Sequence, residues 1–188
     1  MPSDGRYIAR VPPCARSRRS IALALALALA CLTALAAMTA AATALPRDST
    51  LSTAGLGPIR IGMTEAEVEQ AGGRAITRQE SGGGSECTTA TLGKNLFGLF
   101  DGPRLARIYV NSRLYATRKG IRVGDSERRV LAVYGRNLTR SRHTYVTGGS
   151  YLKLTVGNRR VVFDTDGRRV TQITSGRKPE IDYVEGCA

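Results

Sequence analysis

Residues 59–74 read IRIGMTEAEVEQAGGR, and residues 121–136 read IRVGDSERRVLAVYGR. Seven of the sixteen aligned positions are identical, at a constant offset of 62 residues. In the first copy, Thr64 followed by Glu67 matches the capping box that begins a helix, and Gly73 is the residue type that commonly ends one. Self-similarity at a fixed offset is typical of a duplicated supersecondary unit. The chain is therefore expected to contain the same turn and short helix twice.

Strand-like runs follow each copy of this segment. The pairs Asp101-Gly102 and Asp166-Gly167, both hairpin-turn signals, recur at an offset of 65. We predict an α+β fold of two pseudo-repeats, residues 57–116 and 117–178, each a short helix followed by an antiparallel meander of about four strands. The sheet is expected to have one open face. The predicted strands cover residues 74–79, 87–92, 96–100, 105–110, 144–146, 151–156, 160–165 and 168–175.

The first 44 residues have the composition of a secretory signal peptide. Arg16, Arg18 and Arg19 come shortly before the apolar run of residues 21–32, and small residues continue to Ala44, which is the order found in such signals. We expect cleavage near Ala44 and a secreted or periplasmic protein. Two alternatives are an uncleaved anchor, since the run approaches the roughly 20 residues that span a bilayer, and a lipoprotein modified at Cys31.

The remainder of the chain is long enough for one domain. Residues 45–56 are polar and rich in Ser, Thr and Gly, a composition that favours a linker. We predict a single domain over residues 57–188, with residues 179–188 as a C-terminal tail.

The region after the signal is basic, with 23 Lys and Arg against 14 Asp and Glu. Such a charge attracts anionic partners, for example an acidic protein face, a lipid headgroup or a cell-wall polymer. A codon-composition effect in a GC-rich bacterial genome would also produce it. Nucleic acid is not the expected partner, because the protein is exported and its basic residues are scattered. Membrane contact is expected only through the signal or a lipid on Cys31.

Two cysteines, Cys87 and Cys187, remain after the signal. A pair of cysteines in an exported protein most simply forms one disulfide. Because a long loop separates them, the bridge would contribute roughly 4–5 kcal/mol in the chain-entropy model. Two cysteines and one histidine do not supply the usual four ligands of a structural zinc site. We predict a disulfide, no metal site and no cofactor.

Alternation along the predicted strands separates an apolar face, which should cover the helices, from a polar one. The polar face should be open and mixes aromatic and basic residues, the types enriched at interface hot spots. An ordinary solvated sheet face is the alternative. The candidate binding residues on this face are Arg107, Tyr109, Tyr151, Lys153, Thr155 and Gln172, with His143 and Tyr145 in the neighbouring loop. Thr174 is expected on the same open face.

The sequence contains little that indicates catalysis. His143 is the one possible base for a serine or cysteine nucleophile, and no G-x-S-x-G, H-E-x-x-H or P-loop motif is present. Asp164 and Asp166 have a spacing compatible with acid–base chemistry or Ca²⁺ binding, although a hairpin turn explains Asp166 more simply. We predict that the protein is not an enzyme.

The repeated G-(M/D)-(T/S)-x-x-x-V…G element resembles the tandem unit of β-lactamase-inhibitory proteins. It is also similar to the single unit of small outer-membrane assembly lipoproteins of the SmpA/OmlA type. Gly62-Met63-Thr64 matches the motif, whereas Gly124-Asp125-Ser126 departs from it. The resemblance implies short helices on an antiparallel sheet, and a concave sheet that binds protein in the inhibitor family. The whole-chain pattern, ending in DYVEGCA, also resembles a group of uncharacterised exported bacterial proteins, some loosely labelled as lectins.

We therefore expect an exported, non-catalytic binding protein of the bacterial cell envelope or exterior. Its partner would be a protein that docks on the open sheet face. A carbohydrate- or cell-wall-binding module is the alternative, in which the tyrosines stack on sugar rings. A secreted hydrolase is a third and more distant expectation.

Overall fold

The structure is a computed structural model that describes residues 44–79 and 87–186. Nearly all of the predicted signal peptide, together with Cys31 and Cys187, lies outside the described residues. Within the two described stretches, no helix has the length and apolar character needed to cross a membrane.

The described chain is mostly β-structure with two short α-helices, which confirms the α+β class. The first part contains β1 (Thr50–Ser52), β2 (Gly55–Leu56), β3 (Ile59–Arg60), α1 (Glu65–Gly72), β4 (Thr77–Gln79), β5 (Cys87–Gly93), β6 (Leu96–Asp101) and β7 (Arg104–Val110). The second part contains β8 (Ala116–Thr117), α2 (Glu127–Tyr134), β9 (Leu138–Arg142), β10 (Ser150–Val156), β11 (Arg159–Thr165) and β12 (Val170–Arg177). Single 3₁₀ turns cover Gly135–Asn137 and Glu180–Asp182.

A large antiparallel sheet has the strand order β4-β5-β6-β7-β12-β11-β10-β9. Each half is a four-strand meander, and the halves join where β7 pairs with β12, with Ile173 opposite Val110. Both predicted Asp-Gly hairpins are present, between β6 and β7 and between β11 and β12. A smaller sheet, ordered β3-β2-β1-β8, lies in the same described region.

Both helices begin at the hydroxyl residue that the sequence indicates. The Glu67 N–H donates to Thr64 Oγ1 at 3.3 Å, and the Thr64 N–H donates to a carboxylate oxygen of Glu67 at 2.7 Å. The capping box is therefore complete. In the second helix, Ser126 accepts from the Arg129 N–H at 3.2 Å. Because Arg129 occupies the position of the capping glutamate, only half of the box forms there. Gly73 ends the first helix in the left-handed conformation, with φ 65°.

The glycine turn before each helix is hydrogen-bonded to a strand of the large sheet. The Gly62 N–H donates to Leu105 O at 2.7 Å, and the Leu105 N–H donates back to Met63 O at 2.8 Å. The second turn makes the same pair of bonds, from the Gly124 N–H to Val170 O at 2.7 Å and from the Val170 N–H to Asp125 O at 2.9 Å. Each turn therefore holds its helix against the same face of the sheet.

The core lies between that face and the layer formed by the helices and the small sheet. Each fully buried aliphatic side chain contributes roughly 1.5–3 kcal/mol relative to exposure. Tyr134 of α2 packs against Phe163 of β11 with ring centroids 5.3 Å apart. The core includes Leu51, Leu56, Ile59, Val68, Ile108, Ile121, Val130, Leu152, Phe163 and Ile173.

The prediction that residues 45–56 form a linker is wrong for their second half. These residues include β1 and β2, and Leu51 and Leu56 are buried in the core. Ser175 Oγ also donates to Ser52 O at 2.6 Å, which ties the segment to β12. Two leucines among polar residues are a weak periodic signal, and their burial depends on the sheet that they meet.

Two further expectations are corrected in the sheet. The strand predicted at residues 144–146 is a loop, closed by the His143 N–H donating to Gly149 O at 3.0 Å, and β9 precedes it. Leu105, which alternation assigned to the polar face, is buried in the core. The cause is an irregularity in the pairing of β6 with β7. Leu99 lies opposite Arg107, but the next residue, Phe100, lies opposite Leu105, so the alternation of β7 is shifted at this point.

Candidate functional site

The sheet face that points away from the core carries a compact set of polar and aromatic side chains. Cross-strand pairing aligns Tyr151 of β10 with Asp164 of β11, and Asp164 with Gln172 of β12. The adjacent row runs through Lys153, Val162, Thr174 and Tyr109. These rows bring residues from β7, β10, β11 and β12 within reach of one ligand.

The C-terminal tail crosses this face, which is therefore not open as predicted. Arg107 donates from Nη1 to the main-chain oxygens of Glu180 and Tyr183, at 3.1 and 2.7 Å. Arg107 and Thr174, both expected on an open surface, are only 7% and 2% exposed. The composition of the tail did not reveal that its backbone would accept hydrogen bonds from the sheet.

Gly176 allows this close approach of the tail. It lies opposite Arg107 in the β7–β12 pair. A Cβ at this position would meet Arg107 Cγ and Ile181 Cδ1 at 3.0 Å, and Ala106 O at 2.7 Å. The missing side chain leaves the space in which the Arg107 stem and Ile181 of the tail pack together.

Three side-chain contacts add to the attachment of the tail. Asp182 pairs with Arg160 and lies 3.9 Å from Lys153 Nζ. Tyr145 in the β9–β10 loop donates its hydroxyl to Glu185 Oε1 at 2.5 Å. Solvent-accessible pairs of this kind contribute little individually, so the buried Arg107 contacts carry more of the attachment.

The tail and the sheet enclose a groove of about 220 Å³. Seven of the eight residues predicted as binding residues line it: Arg107, Tyr109, His143, Tyr145, Tyr151, Lys153 and Gln172. The eighth, Thr155, does not line it, and its Oγ1 accepts from Arg160 Nε at 3.0 Å near the end of β10. The alternation of the strands therefore located the members of the groove, although not its cover.

Asp164 lies in the groove and was not predicted as a binding residue. Burial raises its pKa to about 7, while the nearby charges of Arg107 and Lys153 oppose the shift. Asp166, its sequence neighbour, is exposed in the hairpin turn and accepts from the Arg168 and Arg169 N–H groups, which lower its pKa. The two aspartates therefore do not act as a pair. Asp164 lies opposite Tyr151 in the sheet, so strand alternation could have assigned it to the same face as Tyr151.

His143 is held against Tyr151 by its own loop. The two rings stack with centroids 4.4 Å apart and planes inclined by 21°. Nδ1 accepts from the N–H groups of Tyr145 and Val146 at 3.1 and 3.2 Å. Burial lowers the pKa of the imidazole, and a neutral ring with this acceptor at Nδ1 carries its proton on Nε2.

Arg107 is a buried cation with incomplete hydrogen bonding. Its guanidinium lies 4.6 Å from the centroid of the Tyr109 ring, an arrangement that stabilises the cation. Burial nevertheless lowers the pKa of Arg107, and its Nε has no hydrogen-bond partner. In the described part of the chain, no group of three or more His, Cys, Asp or Glu residues could hold a metal ion.

The last described residues of the tail lie beside β5. Gly186 lines a shallow cleft together with Thr89, Phe97 and Tyr109. Cys87, two residues before Thr89, belongs to the same strand and by alternation to the same face. Cys187 lies outside the described residues, so the Cys87–Cys187 disulfide stays a prediction, and the course of the tail favours it.

No family model and no curated protein matches the chain. Among solved structures, it is similar to the uncharacterized protein YfeY from Escherichia coli, with a TM-score of 0.48 and 14% identity over 68% of this chain and 99% of that one. It is also similar to an extracellular protein containing a SCP domain from Bacillus anthracis, with a TM-score of 0.45 and 9% identity. That match covers 63% of this chain and 44% of the other. Neither likeness identifies a function for this chain.

Proposed function

We propose that this chain is an exported, non-catalytic binding protein of the bacterial cell envelope or exterior, and that the groove is its ligand site. The observation that carries the proposal is the convergence of seven side chains from β7, the β9–β10 loop, β10 and β12 on one cavity. Concave sites with a few convergent polar groups are the usual form of ligand sites in proteins.

We further propose that the fold arose from two copies of one unit. The equivalent hydrogen bonds of the Gly62 and Gly124 turns support this, as does the mirrored strand order on either side of the β7–β12 pair. The groove draws on both copies, because β7 belongs to the first and β10 to β12 belong to the second.

A protein partner is favoured by the rim of the groove. Tyr145, Tyr183 and Val184 line it and are 63%, 46% and 52% exposed. Contiguous exposed apolar side chains around a polar centre are characteristic of protein interaction sites. A partner would cover this rim and insert one group into the groove.

A glycan is the second candidate, favoured by the lining of the groove itself. The lining offers an acceptor at Asp164, donors at Arg107 and Lys153, and the stacked rings of His143 and Tyr151. Sugar hydroxyls both donate and accept hydrogen bonds, and the apolar faces of sugar rings pack on aromatic side chains.

The absence of catalysis is part of the proposal and is supported by the state of His143. The sequence has one histidine, and its Nδ1 already accepts from two main-chain N–H groups. A general base must accept the proton of its nucleophile within hydrogen-bond reach. Neither the occupied Nδ1 nor a protonated Nε2 can do so.

The test is capture of material from envelope and secreted fractions by the immobilised chain, compared with three variants. Tyr145→Ala and Tyr151→Ala remove side chains of the groove, whereas Leu114→Ala removes a side chain that is 46% exposed elsewhere. We expect the first two to lose capture and the third to retain it. Capture that is equal in all four proteins would overturn the proposal. Weakening by salt would indicate an anionic partner, and competition by free sugars would indicate a glycan.

A further inference from the structure

The floor of the groove contains a carboxylate with no partner. Asp164 forms no side-chain hydrogen bond and no ion pair within 4.0 Å among the described residues. It lies between Tyr151 and Gln172 in the sheet rows. Asp164 is half-buried, and the burial that raises its pKa leaves its charged form poorly solvated, so a ligand that donates hydrogen bonds to it would be favoured.

Donor groups surround the same space. Lys153 lines the groove and its side chain is accessible, whereas Arg107 is nine-tenths buried, with Nη1 held by the tail and an unpartnered Nε that is enclosed by protein. The Nε2–H group of His143 is free to donate, because Nδ1 takes both hydrogen bonds from the loop. The groove therefore requires a ligand that accepts hydrogen bonds as well as donating them.

The charges that line the groove balance when Asp164 is ionised. The cations are Arg107 and Lys153, and the carboxyl groups are Asp164 and Asp182. A site of balanced charge offers no net Coulomb attraction to an ion. This favours a neutral ligand with many hydrogen-bonding groups.

Size and shape narrow the ligand further. The groove holds about 220 Å³, below the roughly 300–1,000 Å³ that accommodates a drug-sized molecule. One wall is formed by the rings of His143 and Tyr151, which stack on each other, and Lys153 Nζ lies 5.6 Å from the centroid of the Tyr151 ring. A single six-membered ring with several hydroxyl groups meets all of these requirements.

We propose that the groove binds one neutral sugar ring, with hydroxyl groups donating to Asp164 and oxygen atoms accepting from Lys153 and His143. The ring packs beside the stacked pair of His143 and Tyr151. This inference rests on the proposed binding function and names its ligand class. A protein side chain of either charge is the alternative that the experiment distinguishes.

The experiment is ligand-observed NMR titration of the purified chain with glucose, galactose, mannose and N-acetylglucosamine, and with glucuronate, glucosamine and lysine amide as charged probes. We expect at least one neutral sugar to bind at pH 8, where Asp164 is mostly ionised, and the Asp164→Asn variant to weaken it by about tenfold or more, because charge-assisted hydrogen bonds are lost. Asp48→Asn, a matched change at an exposed residue outside the groove, should leave the affinity unchanged.

Each contrary result has a defined meaning. If no neutral sugar binds, or if Asp164→Asn binds sugar as tightly as the unchanged chain, the sugar proposal is overturned. Binding confined to the charged probes would overturn it in favour of a charged group. If envelope material is captured in a Tyr151-dependent manner without sugar binding, the ligand class is wrong and the binding function stands. If the chain neither captures envelope material nor binds a sugar, both the binding function and the sugar proposal are overturned. The melting temperature of Asp164→Asn verifies that the variant is folded.

Discussion

Arg107 and Tyr183 lie 76 positions apart, yet the guanidinium of Arg107 donates a 2.7 Å hydrogen bond to the main-chain oxygen of Tyr183. This contact joins the middle of the large sheet to the C-terminal tail. It converts what would be a flat sheet face into a groove, because the tail is held above the two adjacent rows that contain Tyr109, Tyr151 and Asp164. The candidate site therefore depends on the tail as much as on the sheet.

Replacement of Arg107 by Met should release the tail. The variant keeps an apolar stem and loses hydrogen bonds to two carbonyl groups, so we expect a loss of about 2 kcal/mol in the free energy of unfolding. The measurements are urea denaturation and proteolysis by a nonspecific protease, with the cleaved ends identified by mass spectrometry. Arg168→Met, at an exposed arginine, is the matched control. Equal protection of the tail in both variants would contradict this role for Arg107.

Gly176→Ala should displace the tail by a different route. The new Cβ would lie 2.7 Å from Ala106 O, and a main-chain atom in a paired strand cannot move aside, so we expect a cost of about 1–3 kcal/mol. In Gly72→Ala the added atom would meet only Ile59 Cδ1 at 3.5 Å, an ordinary contact, and the helix should gain slightly. Thermal melting of both variants checks the contrast. A Gly176→Ala protein as stable as Gly72→Ala would show that Ala106 O and Ile181 lie farther from Gly176 than described.

The stability of the protein should depend on pH through Asp164. Burial raises the pKa of Asp164 to about 7 in the folded state, well above its unfolded value, so folding favours the protonated form. The resulting stabilisation is fully present below about pH 4 and is lost as the pH rises through 7, by an amount on the order of 4 kcal/mol. Free energies of unfolding from pH 4 to 8 should therefore fall in the unchanged chain relative to Asp164→Asn. Parallel pH profiles of the two proteins would rule out the raised pKa of Asp164.

The predicted disulfide has a direct chemical test. Cys87 begins β5, and the described part of the tail reaches that strand at Gly186, so the chain without residues 1–44 should show no free thiol before reduction. Reduction should lower the free energy of unfolding by up to roughly 4–5 kcal/mol and loosen the tail. Thiol titration of the denatured, unreduced protein measures the number of free thiols. Two reactive thiols would eliminate the bridge.

The local features of the fold could be read from the sequence with few errors. Thr64 and Glu67 predicted the start of α1, because a capping box is satisfied by bonds across three residues. The Asp-Gly pairs predicted two hairpins for the same reason, since a turn is specified by its own residues. Alternation then assigned Tyr151 and Lys153 to one face of β10, and seven of the eight predicted residues line one groove.

What the sequence alone could not determine depends on contacts between distant segments. Burial of Leu51 and Leu56 requires the sheet on which they pack, so a polar composition concealed two strands. The burial of Arg107 and the cover over the groove both follow from the course of the tail. That course is determined by long-range hydrogen bonds and by the space above Gly176. Local patterns specified helices, turns and strand faces because their energies are local, whereas the groove exists only where remote segments pack together.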